Sequence, residues 1–269
     1  MSNIRTPWFD KVDRRLPLAE YPRPQFERQD WICLNGEYDY AITGDTADAP
    51  KKYDGKILVP FSVESELSGV GKALLPEQRL WYRRKFTVGK EFSGKEALLH
   101  FGAVDWQCSV WVNGKLVGEH TGGYNPFTFN ITDVITEGEN ELVVKVFDPT
   151  DAGHQQRGKQ ILVTKGFWYT ATSGIWQTVW LEPVNRCRID SLRLVPDIDE
   201  GVIRINIKRT CKCGGKLYAK VLEGDKVVFD SEIADKAAIP VPDARLWSPE
   251  DPFLYTLLLT LDCNGEKDE

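Results

Sequence analysis

The segment GFWYTATSGIWQTVWLEP, residues 166–183, decides how the rest of the chain is read. Ile175, Gln177, Val179 and Leu181 alternate with Trp176, Thr178 and Trp180, a period of two that predicts a strand half buried on each face. The turn ahead of it carries Phe167, Trp168 and Tyr169 on consecutive positions. A loop so rich in rings, feeding a strand, fits either a sugar-contacting surface or the packing between two domains.

Working outward from this segment, helical periodicity is almost absent. Short strand-like runs bounded by turn residues stand at 37–42, 57–59, 80–88, 97–101, 106–112, 127–131, 141–147 and 175–181. In one of them Trp106, Cys108, Val110 and Val112 alternate with Gln107, Ser109 and Trp111, which predicts that Trp106 fills the core. Asn113-Gly114 then supplies the positive-φ pair of a tight hairpin. After Glu182-Pro183 a second series begins, with runs at 189–195, 202–208, 216–223, 226–233 and 253–261, and with Gly214-Gly215 and Gly224-Asp225 as expected hairpin turns. Ile203, Ile205 and Ile207 alternate with Arg204, Asn206 and Lys208. This predicts a sandwich, a boundary near residue 185, and a second, smaller antiparallel sandwich.

A chain of 269 residues with 42% hydrophobic and 28% charged residues can bury a sizeable core. Its net charge of -6 gives no electrostatic reason to bind nucleic acid or an anionic membrane, and a neutral ligand fits better. The first residues lack the apolar core of a signal peptide, and no stretch approaches 18 apolar residues, so a soluble, cytoplasmic protein is expected. Cys33, Cys108, Cys187, Cys211, Cys213 and Cys263 are scattered through a chain large enough to need no staples, and free thiols are expected. His100, His120 and His154 have no metal-ligand spacing, and Cys211-Lys212-Cys213 has one intervening residue rather than two. No phosphate loop, nucleophile elbow or Cys/His pairing stands out, and neither cofactor nor metal is expected.

The order of motifs carries a resemblance. Leu80-Trp81-Tyr82-Arg83-Arg84 is followed by Asp105-Trp106, Val112-Asn113-Gly114, Gly122-Gly123-Tyr124, Phe127, Asn140-Glu141-Leu142 and Ser173-Gly174-Ile175-Trp176, then Val179-Trp180-Leu181-Glu182. Together they resemble the N-terminal part of glycoside hydrolase family 2, which includes β-galactosidases, β-glucuronidases and β-mannosidases. The run from Leu246-Trp247-Ser248-Pro249 to Leu254-Tyr255 resembles the motif near the end of that family's second domain.

The resemblance implies an all-β chain: a galactose-binding-like jelly roll over residues 1–185, then an immunoglobulin-like sandwich over 186–269. It also implies that the catalytic (β/α)₈ barrel, which needs about 250 residues, lies outside these domains, so that the chain alone is expected to be inactive. The partners it implies are a carbohydrate in the context of the parent enzyme, the barrel itself and a further copy of the chain. The parent's reaction would be retaining hydrolysis of a β-linked sugar by two carboxyl groups about 5–5.5 Å apart. Asn140-Glu141 mimics the family's catalytic dipeptide, but its context is a turn entering a sandwich strand, and no catalytic residue is assigned. In several family members an Asp five residues before the Ser/Ala of the Ser-Gly-Ile motif bonds sugar hydroxyls, and here that position is Trp168. Trp168 and Tyr169 are therefore the candidate substrate contacts, with packing against the barrel as the competing role. Residues 148–165 read as a long loop, expected to be disordered without the barrel. A free-standing carbohydrate-binding module and an assembly domain are the alternative functions.

Overall fold

A computed structural model of the protein describes residues 5–23, 26–45, 48–211 and 214–269. The chain divides into two compact units, Met1–Pro183 and Val184–Glu269.

In the first unit six strands form one antiparallel sheet, in the order Gly55–Val59, Gly36–Thr43, Arg79–Val88, Gly138–Phe147, Gln107–Val112 and Lys115–Thr121. A four-stranded sheet, Ile32–Cys33, Val179–Val184, Glu96–Phe101 and Phe127–Asn130, makes the other layer. Between them Leu80, Tyr82, Leu99, Phe101, Val110, Leu142, Val144 and Leu181 are buried in one core. Alternation along Arg79–Val88 sends Trp81 to the opposite face, where it packs with Ala41, Val143 and Trp111 in a smaller cluster. The Asn113-Gly114 hairpin forms with φ of 50° and 75°. Asn140 buttresses it: Asn113 Nδ2 donates to Asn140 Oδ1 at 2.8 Å, and Asn140 Nδ2 donates to Thr136 O at 2.8 Å. The Asn140-Glu141 dipeptide is thus part of a hairpin support.

Two local readings differ from the structure. The run 175–181 is shared between two strands rather than forming one: Gly174–Ile175 pairs with Val104–Asp105, and Val179–Val184 joins the four-stranded sheet, buried at every position. Trp106 follows the short strand Val104–Asp105 and leaves the phase of Cys108 and Val110. It is half-buried, edge-on to Phe147 with ring centroids 6.4 Å apart, and outside the core.

The far end of Val179–Val184 holds a buried charge cluster. Glu182 is fully buried, accepting from the Tyr21 hydroxyl and from Arg23 at 2.5 Å. His100 Nε2 lies 3.1 Å from Glu182, poorly aligned for a hydrogen bond, and its ring stacks on Trp180 at 4.6 Å. Burial alone would push the Glu182 carboxyl up. His100, Arg23 and Tyr21 outweigh it and hold the group at about 2.

The second unit is a three-stranded sheet, Ile189–Asp197, Val202–Arg209 and Lys236–Pro240, and a four-stranded one, Lys226–Ile233, Lys216–Glu223, Thr256–Cys263 and Glu266–Asp268. Ile205, Ile207, Leu217, Val221 and Leu261 supply its buried apolar side chains. Gly224-Asp225 turns a hairpin, as expected. Gly214-Gly215 does not: the strands on either side of it belong to different sheets. The free-thiol expectation also fails. Cys187 and Cys211 are joined in a disulfide, Cα atoms 5.3 Å apart, and Cys263 is disulfide-bonded as well, leaving Cys33 and Cys108 free among the described cysteines. Distance in sequence concealed this, because antiparallel pairing returns strand ends to one place. Cys213 lies outside the described residues.

Candidate functional site

One face of the first unit gathers the ring-rich loop, two glycines and three carboxyl groups. The sequence LWYRR sets it up: Tyr82, pointing inward from the central strand, accepts the Ile175 amide on its hydroxyl at 3.2 Å. Gly174 sits against that hydroxyl with φ +90°, where a Cβ would collide with Tyr82 and the backbone angle would be strained for any other residue. Ser173 is thereby fixed beside two acids. Its amide donates to Glu64 Oε2 at 2.9 Å and its hydroxyl to Asp148 Oδ2 at 2.7 Å. Asp148 also accepts the Thr150 amide at 2.9 Å.

The third acid, Asp105, differs from these two. It is 3% exposed and faces the charges of Asp148 and Glu64 rather than a cation. Gly123 approaches it so closely that a Cβ there would meet the carboxyl oxygens. Burial, then the charges of Asp148 and Glu64, push Asp105 up to about 7. Burial likewise pushes Glu64 up to about 7 against the amide bonds that favour its ionised form, and Asp148 is raised for the same reason. Near neutral pH Asp105 therefore exchanges between a hydrogen-bond donor and an acceptor.

Aromatic groups stand beside the acids. Trp176 donates its indole N–H to Gly123 O at 2.8 Å and lies 6.1 Å from the Tyr124 ring, which is 45% exposed. Gln160 links this pair to the loop: its Nε2 donates to the Tyr124 hydroxyl at 3.5 Å and its Oε1 accepts the Thr172 amide at 2.7 Å. Residues 148–165, expected to be disordered, contain in the structure a strand, Gln160–Ile161, paired in parallel with Tyr169–Thr170. Trp168 is half-buried and stacked on Phe167 at 4.9 Å, whereas Tyr169 is 65% exposed. Phe167, also exposed, has Lys159 Nζ 5.6 Å from its ring centroid.

The two residues chosen from sequence thus lie on the loop that borders the acids, with Tyr169 directly paired to Gln160. Sequence reasoning missed Glu64, Asp105, Asp148, Tyr124 and Trp176 as site residues. Asp105, Tyr124 and Trp176 stood inside the quoted motifs, which was their only signal. Glu64 carried none. Chemically, the face offers flat rings for the apolar side of a pyranose and carboxyl groups for its hydroxyls.

The described residues thus form two β-sandwich units, the first of which presents rings and carboxyl groups on one face. The profile described as "Glycosyl hydrolases family 2, sugar binding domain" matches residues 69–183, and that described as "Glycosyl hydrolases family 2" matches residues 187–269. The chain belongs to glycoside hydrolase family 2. A β-galactosidase of Thermoanaerobacter pseudethanolicus is 31% identical over 201 residues, covering 69% of this chain and 26% of the relative. A β-galactosidase of Bacteroides ovatus is 26% identical, covering 98% and 30%. A β-glucuronidase of Bacteroides fragilis is 24% identical, covering 90% and 36%. The chain thus spans about a quarter to a third of these relatives and corresponds to their N-terminal, non-catalytic part. Among solved structures, a β-glucuronidase from Ruminococcus gnavus in complex with D-glucaro-d-lactam superposes with a TM-score of 0.73 at 19% identity, covering 93% of this chain and 45% of that one. A β-D-glucuronidase of Dictyoglomus thermophilum gives 0.72 at 20%, covering 92% and 44%. These likenesses establish the shared fold. Among the described residues no helix is long and apolar enough to cross a membrane.

Proposed function

We propose that this chain forms the sugar-facing wall of a retaining β-glycosidase of the β-galactosidase or β-glucuronidase type, with the chemistry carried by a barrel outside these residues. Domains of 1–185 and 186–269 divide the work: the first contacts substrate and the second supports the barrel. The observation that carries this reading is Asp105, a buried carboxyl raised to about 7 by burial and by its acidic neighbours, beside Trp176 and Tyr124. A carboxyl group that changes protonation near neutral pH can give or take a hydrogen bond, and a sugar hydroxyl suits either role. Trp168 and Tyr169 supply the stacking surface at the rim.

Calorimetric titration with galactose, glucuronate and mannose tests this. Binding of one of them, weakened about tenfold or more by Trp168→Ala and by Asp105→Asn, supports the reading. Binding unaffected by both substitutions sinks it.

A free-standing carbohydrate-binding module is the second reading, supported by the exposed rings of Phe167 and Tyr169. It differs in requiring tight sugar binding by the isolated chain. The same exposed rings, with Val163, give a surface for self-association into a homo-oligomer, which light scattering across a concentration series checks. The Cys187–Cys211 disulfide favours an oxidising compartment over the cytoplasmic location expected from the sequence.

A further inference from the structure

The three carboxyl groups beside the ring-rich loop are held without a positive charge. Glu64 accepts the Ser173 amide at 2.9 Å and the Leu74 amide at 3.5 Å, and Asp148 accepts the Ser173 hydroxyl and the Thr150 amide, all of them neutral donors. Asp105 faces the charges of those two acids. The basic side chains on the flanking segments are turned to other partners. Arg79 stacks 4.1 Å from the centroid of the Phe147 ring and pairs with Asp45 at 3.1 Å, Lys159 lies against Phe167, and His120 brings Nε2 within 3.1 Å of Gly122 O.

The field of these acids reaches the exposed edge of the site. Tyr124 is 45% exposed, and burial followed by the charges of Asp105 and Asp148 pushes its hydroxyl up. A group resting on that ring therefore meets a negative potential as well as a stacking surface. A neutral pyranoside is not opposed by it, because its hydroxyls donate to carboxylates. A pyranoside whose exocyclic carbon is oxidised to a carboxylate has the same ring to stack and one negative charge more. That charge is brought toward Asp105 and Asp148, which are themselves buried, so the repulsion is weakly screened.

We propose that the site selects its sugar by charge, accepting a neutral pyranoside and rejecting a uronate through Glu64, Asp105 and Asp148. This rests on the sugar-facing role given above and adds the class of sugar. The selection has a pH dependence of known sign. Burial raises Asp105 and Glu64 to about 7, so both hold protons at pH 5.5 and are largely ionised at pH 8. The carboxylate of a uronate, with an ordinary value, is ionised at both. Rejection therefore strengthens as pH rises through 7.

The test is calorimetric titration of the 269-residue chain at pH 5.5 and at pH 8 with two matched pairs: methyl β-galactoside and methyl β-galacturonide, then methyl β-glucoside and methyl β-glucuronide. In at least one pair the neutral member is expected to bind about tenfold or more tightly than the uronide at pH 8, the ratio falling below about threefold at pH 5.5. Glu64→Gln combined with Asp105→Asn should bring the ratio at pH 8 down to its value at pH 5.5. The comparison across pH uses the unsubstituted chain and so holds even where that variant does not fold. Equal affinities within each pair at pH 8, a tighter uronide, or a ratio unchanged between the two pH values overturns charge selection and leaves the sugar-facing role intact. Absence of binding by all four glycosides overturns the sugar-facing role itself, and charge selection with it.

Discussion

Replacing Asp105 with Asn should stabilise the first unit, and by an amount that grows with pH. The ordinary aspartate value is 3.8, and folding raises it to about 7. In the unfolded chain the proton is lost near pH 4, while the folded protein keeps it to about pH 7. Stability therefore falls as pH rises through that window and levels off above it. At about 1.36 kcal/mol per pH unit, the penalty at pH 8 has a ceiling of about 4 kcal/mol. Glu64, itself pushed up to about 7, draws on the same protons, so the gain expected from Asp105 alone is about 2 kcal/mol. Urea unfolding at pH 5, 6.5 and 8, followed by tryptophan fluorescence, measures it. Asp105→Asn should approach the unsubstituted protein at the acid end and exceed it by about 2 kcal/mol at the alkaline end. A stability difference that stays constant across this range would refute the assignment of a proton to this buried carboxyl.

The other outcomes follow from the same packing. Glu182→Gln should cost about 3 kcal/mol at pH 7, because Arg23 keeps its charge in a cluster that has lost its anion. The unsubstituted protein should lose this contribution as pH falls from 4.5 toward 2, so that the difference from the variant shrinks across that range, by urea unfolding in acid. Gly174→Ala combines a φ of +90° with a collision at the Tyr82 hydroxyl and should destabilise by about 2–4 kcal/mol, read as an earlier urea midpoint. Tyr82→Phe, which only strips the acceptor from the buried Ile175 amide, should cost about 1–2 kcal/mol in the same assay.

The strand pattern made the fold legible. Alternation in Arg79–Val88 and Val202–Arg209 matches the faces that are buried, and Asn113-Gly114 fixed a hairpin because few other pairs tolerate its backbone angles. Legibility failed where non-local contacts override the local period. Trp106 shares the sequence alternation of Cys108 and Val110 but leaves their phase and the core in the structure, since pairing of Val104–Asp105 with Gly174–Ile175 starts a separate element. Gly214-Gly215 looked like a hairpin because nothing local distinguishes a turn within a sheet from a passage between sheets. The site was half legible. Trp168 and Tyr169 advertised themselves as rings on a loop, whereas Glu64 and Asp148 become a pair only because Ser173 bonds both, across 109 and 25 residues of sequence. The Cys187–Cys211 disulfide was hidden for the same reason.

These domains are expected to contact a sugar without cleaving it. Titration of the ¹⁵N-labelled 269-residue chain with nitrophenyl β-galactoside and β-glucuronide, followed by NMR and by release of nitrophenolate, tests both halves together. Saturable shifts confined to Asp105, Gly123, Tyr124, Trp168, Tyr169 and Trp176, with the glycoside intact, are predicted. Shifts elsewhere, none at all, or release of nitrophenolate would rule this role out.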